Sequence, residues 1–197
     1  MDEQSQRSGV DVSIVVPVGR CDSTTDAQLD AIRRLDRGSL SVELVLSLNS
    51  GRPEDETALR TTLGPDWPVP VSIVDSSERR GAAHARNIGA QAAAGEALVF
   101  CDADDLVDAS WLVNLVKGLE RFDAVSGHLE ELVDRESDRG LRPPATPDGL
   151  PMFLGVPYLL SGNLAMRASV FARLGGFDTR LIRCEDTALS WKMLENG

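Results

Sequence analysis

Asp102, Ala103, Asp104 and Asp105 follow directly on the apolar run Ala97-Leu98-Val99-Phe100-Cys101. That run is uncharged, is preceded by Gly95-Glu96, and reads as a short buried strand. Carboxylates crowded at a strand end repel one another. A divalent cation is their natural partner, because hard cations take carboxylate oxygens. In open α/β sheets, ligands bind just beyond the carboxyl ends of the strands. The cluster therefore points to a metal-dependent site for a phosphorylated ligand. Asp102 and Asp104 are two apart, so on an extended chain both carboxylates face the same way. A plain turn-and-cap cluster explains one Asp well and three poorly.

Arg79, Arg80, Arg86 and Asn87 make a local basic and polar cluster. Arg86-Asn87 fall early in an alanine-rich helix, near its positive end. Two accounts stand level: a group that holds phosphate or orients the acidic cluster, and a solvated helix face paired to Glu78 or Glu96. Glu185-Asp186 sit just before the last helix, where acidic residues are common in any case. Neither G-x-x-x-x-G-K-[ST] nor a G-x-G-x-x-G after a strand is present. Phosphate chemistry here must use metal and side chains.

The elements that must position these groups alternate. Strands are predicted over Val12–Pro17, Val42–Leu48, Val69–Val74 and Ala97–Cys101. Helices are predicted over Asp26–Leu35, Asp55–Leu63, Ala82–Ala94 and Ala109–Leu119, the last capped by Asp108. Such alternation signals a mainly parallel sheet flanked by helices, a Rossmann-like α/β architecture. An extended strand over Ala124–Val133 and a long polar loop over Asp134–Pro151 come next. The loop is expected to be a mobile lid. Tyr158–Met166 is apolar around Ser161-Gly162-Asn163. Short helices at Val170–Leu174 and Thr187–Leu194 close the pattern. Residues 1–11 are expected to be a flexible N-terminus and 12–197 a single domain.

The chain has 197 residues and a net charge of −11, so it lacks the basic footprint of a nucleic-acid binder. Its apolar runs are too short for a transmembrane helix, and Met1-Asp2-Glu3-Gln4 opens no signal peptide. Cys21, Cys101 and Cys184 are odd in number and widely spaced, and His84 and His128 are the only histidines. They read as free thiols of a cytoplasmic protein without structural zinc.

The whole series closely resembles a family-2 glycosyltransferase. It comprises Val12-Ser13-Ile14-Val15-Val16-Pro17-Val18, Ala85-Arg86-Asn87-Ile88-Gly89, Gly95-Glu96 leading to Phe100-Cys101-Asp102-Ala103-Asp104-Asp105, Gly175-Gly176-Phe177-Asp178, and Glu185-Asp186. The resemblance runs from Val12 to Gly197. It implies the GT-A fold and metal-dependent, inverting transfer of a sugar from a nucleotide diphosphate donor to an acceptor hydroxyl. It also implies residue roles. Pro17, with Val16 and Val18, would line the base pocket. Arg86 would lie near the donor, Asn87 would shape its wall, and Ala103 would sit on the donor side between the acidic residues. Asp102 would contact the ribose or the metal shell, and Asp104 would ligate Mn²⁺ or Mg²⁺. Gly162 and Asn163 would lie beside the donor sugar and acceptor. Asp186 would be the catalytic base, supported by Glu185.

Two departures stand out. Family members carry an Asp at the end of the second strand that binds the nucleotide. Here Leu48 occupies that place, and Asn49 is expected to substitute in part. The sequence ends at Gly197, where relatives continue with a metal-site His and an acceptor-binding tail, so a domain lacking that tail is expected. The rival reading is a non-catalytic GT-A-like sugar-nucleotide-binding or scaffold module. A sugar nucleotidyltransferase would need more than Val18-Gly19-Arg20 after its first strand. The acceptor stays open among glycan, lipid-linked, small-molecule and peptide classes, as do the sugar, the base and the oligomeric state.

Overall fold

Every residue of β1 (Val12–Val18) is buried. Continuous burial marks a strand covered on both faces, the position a parallel sheet between helix layers imposes. The computed structural model describes residues 9–129 and 149–196. In it β1 is followed by α1 (Ser23–Arg33), β2 (Val42–Leu48), α2 (Pro53–Leu63), β3 (Val71–Asp75), α3 (Ala82–Ala92), β4 (Ala97–Cys101) and α4 (Trp111–Leu119). Then come β5 (Ala124–Ser126), a hairpin of β6 (Met152–Phe153) and β7 (Val156–Pro157), β8 (Asn163–Arg167), α5 (Ala168–Leu174) and α6 (Glu185–Glu195). The main sheet has six strands in the order β3-β2-β1-β4-β8-β5. β3, β2, β1 and β4 are parallel, as expected. β8 joins antiparallel to both β4 and β5.

Side-chain alternation along β1 sorts the core into two layers. Val12, Ile14, Val16 and Val18 pack with residues of α1, α2 and α4. Val15 packs on the other face, with Phe100, Phe171, Phe177 and Leu189. α3 lies over β1 on this second face at Gly89, where an added Cβ would stand 2.5 Å from Val15 Cγ1.

Several boundaries differ from expectation for local reasons. α1 starts early because Asp22 caps it, accepting from the Thr24 and Thr25 amides. α2 starts at Pro53, a residue suited to a first helical turn. Asp108 does not cap α4; it accepts from Ser110, and the helix begins at Trp111. The third strand begins after Pro70, whose carbonyl accepts from Leu44 N at 2.9 Å. Within the stretch expected to be extended from Ala124, the described strand is only Ala124–Ser126. Its residues 130–133 fall outside the described residues, as do 134–148 of the expected lid and 1–8 of the N-terminus. The last helix includes Glu185 and Asp186 in its first turn, rather than following them. Among the described residues no helix is long and apolar enough to cross a membrane.

Candidate active site

The site lies where β1 and β4 part. Their pairing ends at Val15↔Phe100, while β1 stays paired to β2 as far as Val18↔Leu48. Val18 turns its carbonyl to β2, accepting from Asn49 N at 2.8 Å. Pro17 therefore faces the β4 side, beyond the end of that ladder, where a missing N–H costs no bond. Strand order also reverses direction between β1 and β4, the usual place for a ligand crevice. A cavity of about 520 Å³ opens there. Pro17, Gly19, Arg20 and Asp22 line it from the β1 end. Asn49 borders it from the β2 end, Ala82, Ala85 and Arg86 from α3, and Asp102, Ala103 and Asp104 from the β4 end.

The acidic turn after β4 is held from below. Gln28, fully buried in α1, donates to Asp102 O at 3.2 Å and accepts from Val107 N at 3.1 Å. Asp102 and Asp104 both reach the cavity. The Asp105 carboxyl is pushed up to about 6 by burial, then by the charges of Asp102 and Asp104, with Arg86 opposing. Gly162 presses on this turn: an added Cβ would stand 2.7 Å from Asp102 Oδ2 and 3.4 Å from Asp105 Oδ2. Among the described residues no three His, Cys, Asp or Glu side chains form a ready metal cage.

Arg86 joins the two acidic groups. It is 3% exposed. It donates through Nη2 to Asp102 Oδ1, and through Nη1 to Glu185 Oε1 at 2.9 Å. Its Nε has no partner among the described residues. The Phe177 ring lies 5.7 Å from its guanidinium carbon. Asp186, half-buried, accepts from Thr187 N at 2.7 Å. The Tyr158 phenol is raised by burial, with the Asp186 and Cys184 charges adding to the effect.

The sequence pattern described as Glycosyl transferase family 2 matches residues 13–175. The chain belongs to that family. A mannosyltransferase of Pyrobaculum calidifontis, PcManGT, solved in complex with GDP-Man and Mn²⁺, is 26% identical. It superimposes with a TM-score of 0.72 over 95% of this chain and 53% of that one. S. aureus TarS, solved with UDP, is 17% identical with a TM-score of 0.69, covers 93% of this chain and 55% of that one, and shares the fold. An uncharacterised glycosyltransferase of Haemophilus influenzae is 22% identical over 93% of this chain and 62% of its own length. The pre-mycofactocin glycosyltransferase of Mycobacterium tuberculosis is 26% identical over 64% of this chain and 29% of its own. The chain thus spans 53% and 62% of the length of the mannosyltransferase and the Haemophilus protein. The fold is the expected GT-A arrangement.

In this family-2 chain, Pro17, Asn49, Arg86, Asp102, Ala103 and Asp104 come together around one cavity. Other expected site residues turn elsewhere. Val16 and Val18 sit in the core layer under α1, because alternation sends them to the opposite face from Pro17. Asn87 spends its amide on Phe177, donating to the carbonyl at 2.8 Å and accepting from the N–H at 3.0 Å. Asn163 is buried, accepts from Trp111 Nε1 at 2.8 Å and donates to His128 O at 3.0 Å. Its side chain braces the fold instead of facing a sugar. Asn49 accepts from Gly81 N at 2.9 Å and donates to Ser76 O and Arg79 O, so it ties down the loop before α3. Leu48 is 7% exposed and packs in the core, opposite Asp75 on β3. Glu185 meets Arg86, whereas Asp186 is not among the residues lining the cavity.

Sequence reasoning gave no site role to Arg20, Asp22 or Gln28. Arg20 and Asp22 pair at 2.8 Å on the cavity rim. Their closeness to the end of the first strand was the available signal. Nothing local marks Gln28, whose role depends on α1 packing beneath the acidic turn.

Proposed function

We propose that this domain moves a sugar from a nucleotide diphosphate donor to an acceptor hydroxyl, with inversion at the anomeric carbon. The observation that carries this reading is the convergence of Pro17, Arg86, Asp102 and Asp104 on one cavity at the carboxyl ends of β1 and β4. The likeness to a mannosyltransferase solved with GDP-Man and Mn²⁺ supports it.

The residues suit a divalent cation, Mn²⁺ or Mg²⁺. Asp104 and Asp102 both line the cavity and offer hard carboxylate oxygens. Asp104 and Asp102 would hold the ion, with donor phosphates and water completing its shell. When bound, it supplies Lewis-acid stabilisation to the departing diphosphate. Pro17 and Asn49 bound the side of the cavity where the nucleotide would rest. Asp186 takes the acceptor proton as the acceptor oxygen bonds to the anomeric carbon and the bond to diphosphate breaks. Glu185, paired with Arg86, supports Asp186. The acceptor would approach from the α6 side.

One observation favours the second reading, a non-catalytic sugar-nucleotide-binding or scaffold module: Asp186 stands outside the residues that line the cavity. A panel of nucleotide sugars with Mn²⁺, read by released nucleoside diphosphate, separates the two. The catalytic reading expects slow donor hydrolysis and a sugar released with the opposite anomeric configuration, seen by NMR. A retained configuration contradicts inversion, and binding without release over the whole panel favours the second reading.

A further inference from the structure

We infer that Arg86 and Glu185 form a positioning pair that sets where Asp186 stands, with Arg86 acting through Glu185 rather than as a ligand of the donor. The inference rests on the proposed role of Asp186 as the base.

A guanidinium that is 3% exposed is costly unless it is paired. Here it is shared between carboxylates from separate parts of the chain, Asp102 at the end of β4 and Glu185 in the first turn of α6. The planar fork of Arg fixes both partners in direction as well as distance, which a lysine ammonium does not. Glu185 is itself largely buried, its side chain 14% exposed. Successive helical residues are turned by about 100°, so fixing Glu185 fixes the azimuth of Asp186 beside it.

α6 has no side-chain cap at its start, although Thr187, Leu189 and Ser190 are buried one turn on. Its N-cap residue, Cys184, makes no side-chain capping bond and sits at φ 64°. The loop leading to α6 is anchored by the neighbouring residue of α3, since Asn87 clamps the Phe177 backbone. Adjacent residues of one helix thus grip the approach to α6 and its first turn. Phe177 also covers the Arg86 guanidinium, shielding the pair from water. Asp102 ties the same guanidinium to the metal side of the site. One planar guanidinium thus links the acidic turn to the first turn of α6.

The test compares the protein with Glu185→Gln, Arg86→Lys and the double variant. Glu185→Gln keeps shape and a hydrogen-bond acceptor, so it decides the matter if Arg86→Lys fails to fold. Hydrogen exchange in the free protein should speed up about ten-fold or more at 185–188 in each single variant, with 97–101 unchanged. The double variant should be no worse than the more affected single one, because both changes break one interaction. With GDP-mannose and Mn²⁺ as probe, the calorimetric Kd of Glu185→Gln should stay within about two-fold of the parent, while its kcat for sugar release falls about 10–100-fold at unchanged KM; Arg86→Lys, which also loosens Asp102, is read by exchange alone. Unchanged exchange at 185–188, additive losses, or a Kd that rises as far as kcat falls would each overturn the inference. A chain that releases no sugar from any donor defeats the proposed reaction alone, since the exchange result still decides the positioning role.

Discussion

Pro17, near the end of β1, and Asp104, in the turn after β4, face one cavity across the gap where those strands part. They come from chain segments far apart in sequence, brought together because β4 pairs directly with β1. A metal-bound diphosphate at Asp104 would place its nucleoside within reach of Pro17. Crevices at such switch points are shaped by topology rather than by any local motif.

Gly162 leaves no room beside the acidic turn, where an added Cβ would stand 2.7 Å from Asp102 Oδ2, and Arg86 tethers Asp102 against swinging away. Gly162→Ala is expected to displace the Asp102 carboxylate. Affinity for whichever nucleoside diphosphate binds the parent with Mn²⁺, measured by calorimetry, should weaken about ten-fold, equivalent to about 1.4 kcal/mol. Unchanged affinity would remove Asp102 from the metal shell.

Gly89 lets α3 approach β1 closely, and α3 carries Arg86. Alanine would gain about 1 kcal/mol of helix propensity. Its Cβ, however, would stand 2.5 Å from Val15 Cγ1 and 3.4 Å from Ser47 Cβ, in a fully packed layer. Overpacking costs about 1–3 kcal/mol and should win. Gly89→Ala is expected to lower the urea midpoint, and a raised midpoint would show that α3 can shift outward freely.

Asp55 ties α2 to the cavity rim. Burial would raise its carboxyl, but bonds from Ser50, from Arg52 and from the Cys21 amide outweigh that and hold it below its ordinary value of 3.8. The Arg52 bonds are 2.9 and 3.0 Å long. A depressed folded pKa contributes stability that is present above the unfolded pKa and lost as pH falls through the folded value. Asp55→Asn should therefore cost about 1–3 kcal/mol near neutral pH. The gap from the parent should shrink as pH drops below about 4. Urea midpoints across that range check this, and a gap independent of pH would contradict it.

Asp186→Asn keeps shape and removes basicity. Transfer to a hydroxyl acceptor should fall by roughly 10²–10⁴-fold, the usual share of a general base. Binding of donor and metal should hardly change. Full transfer activity in this variant would leave Asp186 as an ordinary acidic residue of a helix's first turn, suited to the dipole.

The parallel core was legible because β4 is an unbroken apolar run and β1 is broken only by Ser13, the pattern of strands buried on both faces. The acidic turn was legible because turn chemistry alone does not need three carboxylates. β8 was harder to read: its place between β4 and β5 is fixed by long-range pairing, such as Val99↔Ala165, that no local period announces. Asn87 and Asn163 have the composition of ligand-binding residues, yet they spend their amides on Phe177 and on Trp111 and His128. Only the fold reveals whether a buried amide is already satisfied. The resemblance put Val16 and Val18 in the base pocket beside Pro17, although alternation turns them to the other face.

The acidic turn is expected to bind a nucleoside diphosphate through a divalent cation. The most direct measurement is thermal unfolding with a panel of nucleoside diphosphates, in Mn²⁺ and in chelator, for the parent and Asp104→Asn. A matching nucleotide at a hundred times its Kd should stabilise the parent by about 2.7 kcal/mol in Mn²⁺. That gain should vanish in chelator and in Asp104→Asn, whose unliganded fold stays intact. Equal stabilisation in chelator and in Mn²⁺, or in Asp104→Asn and the parent, would contradict the account.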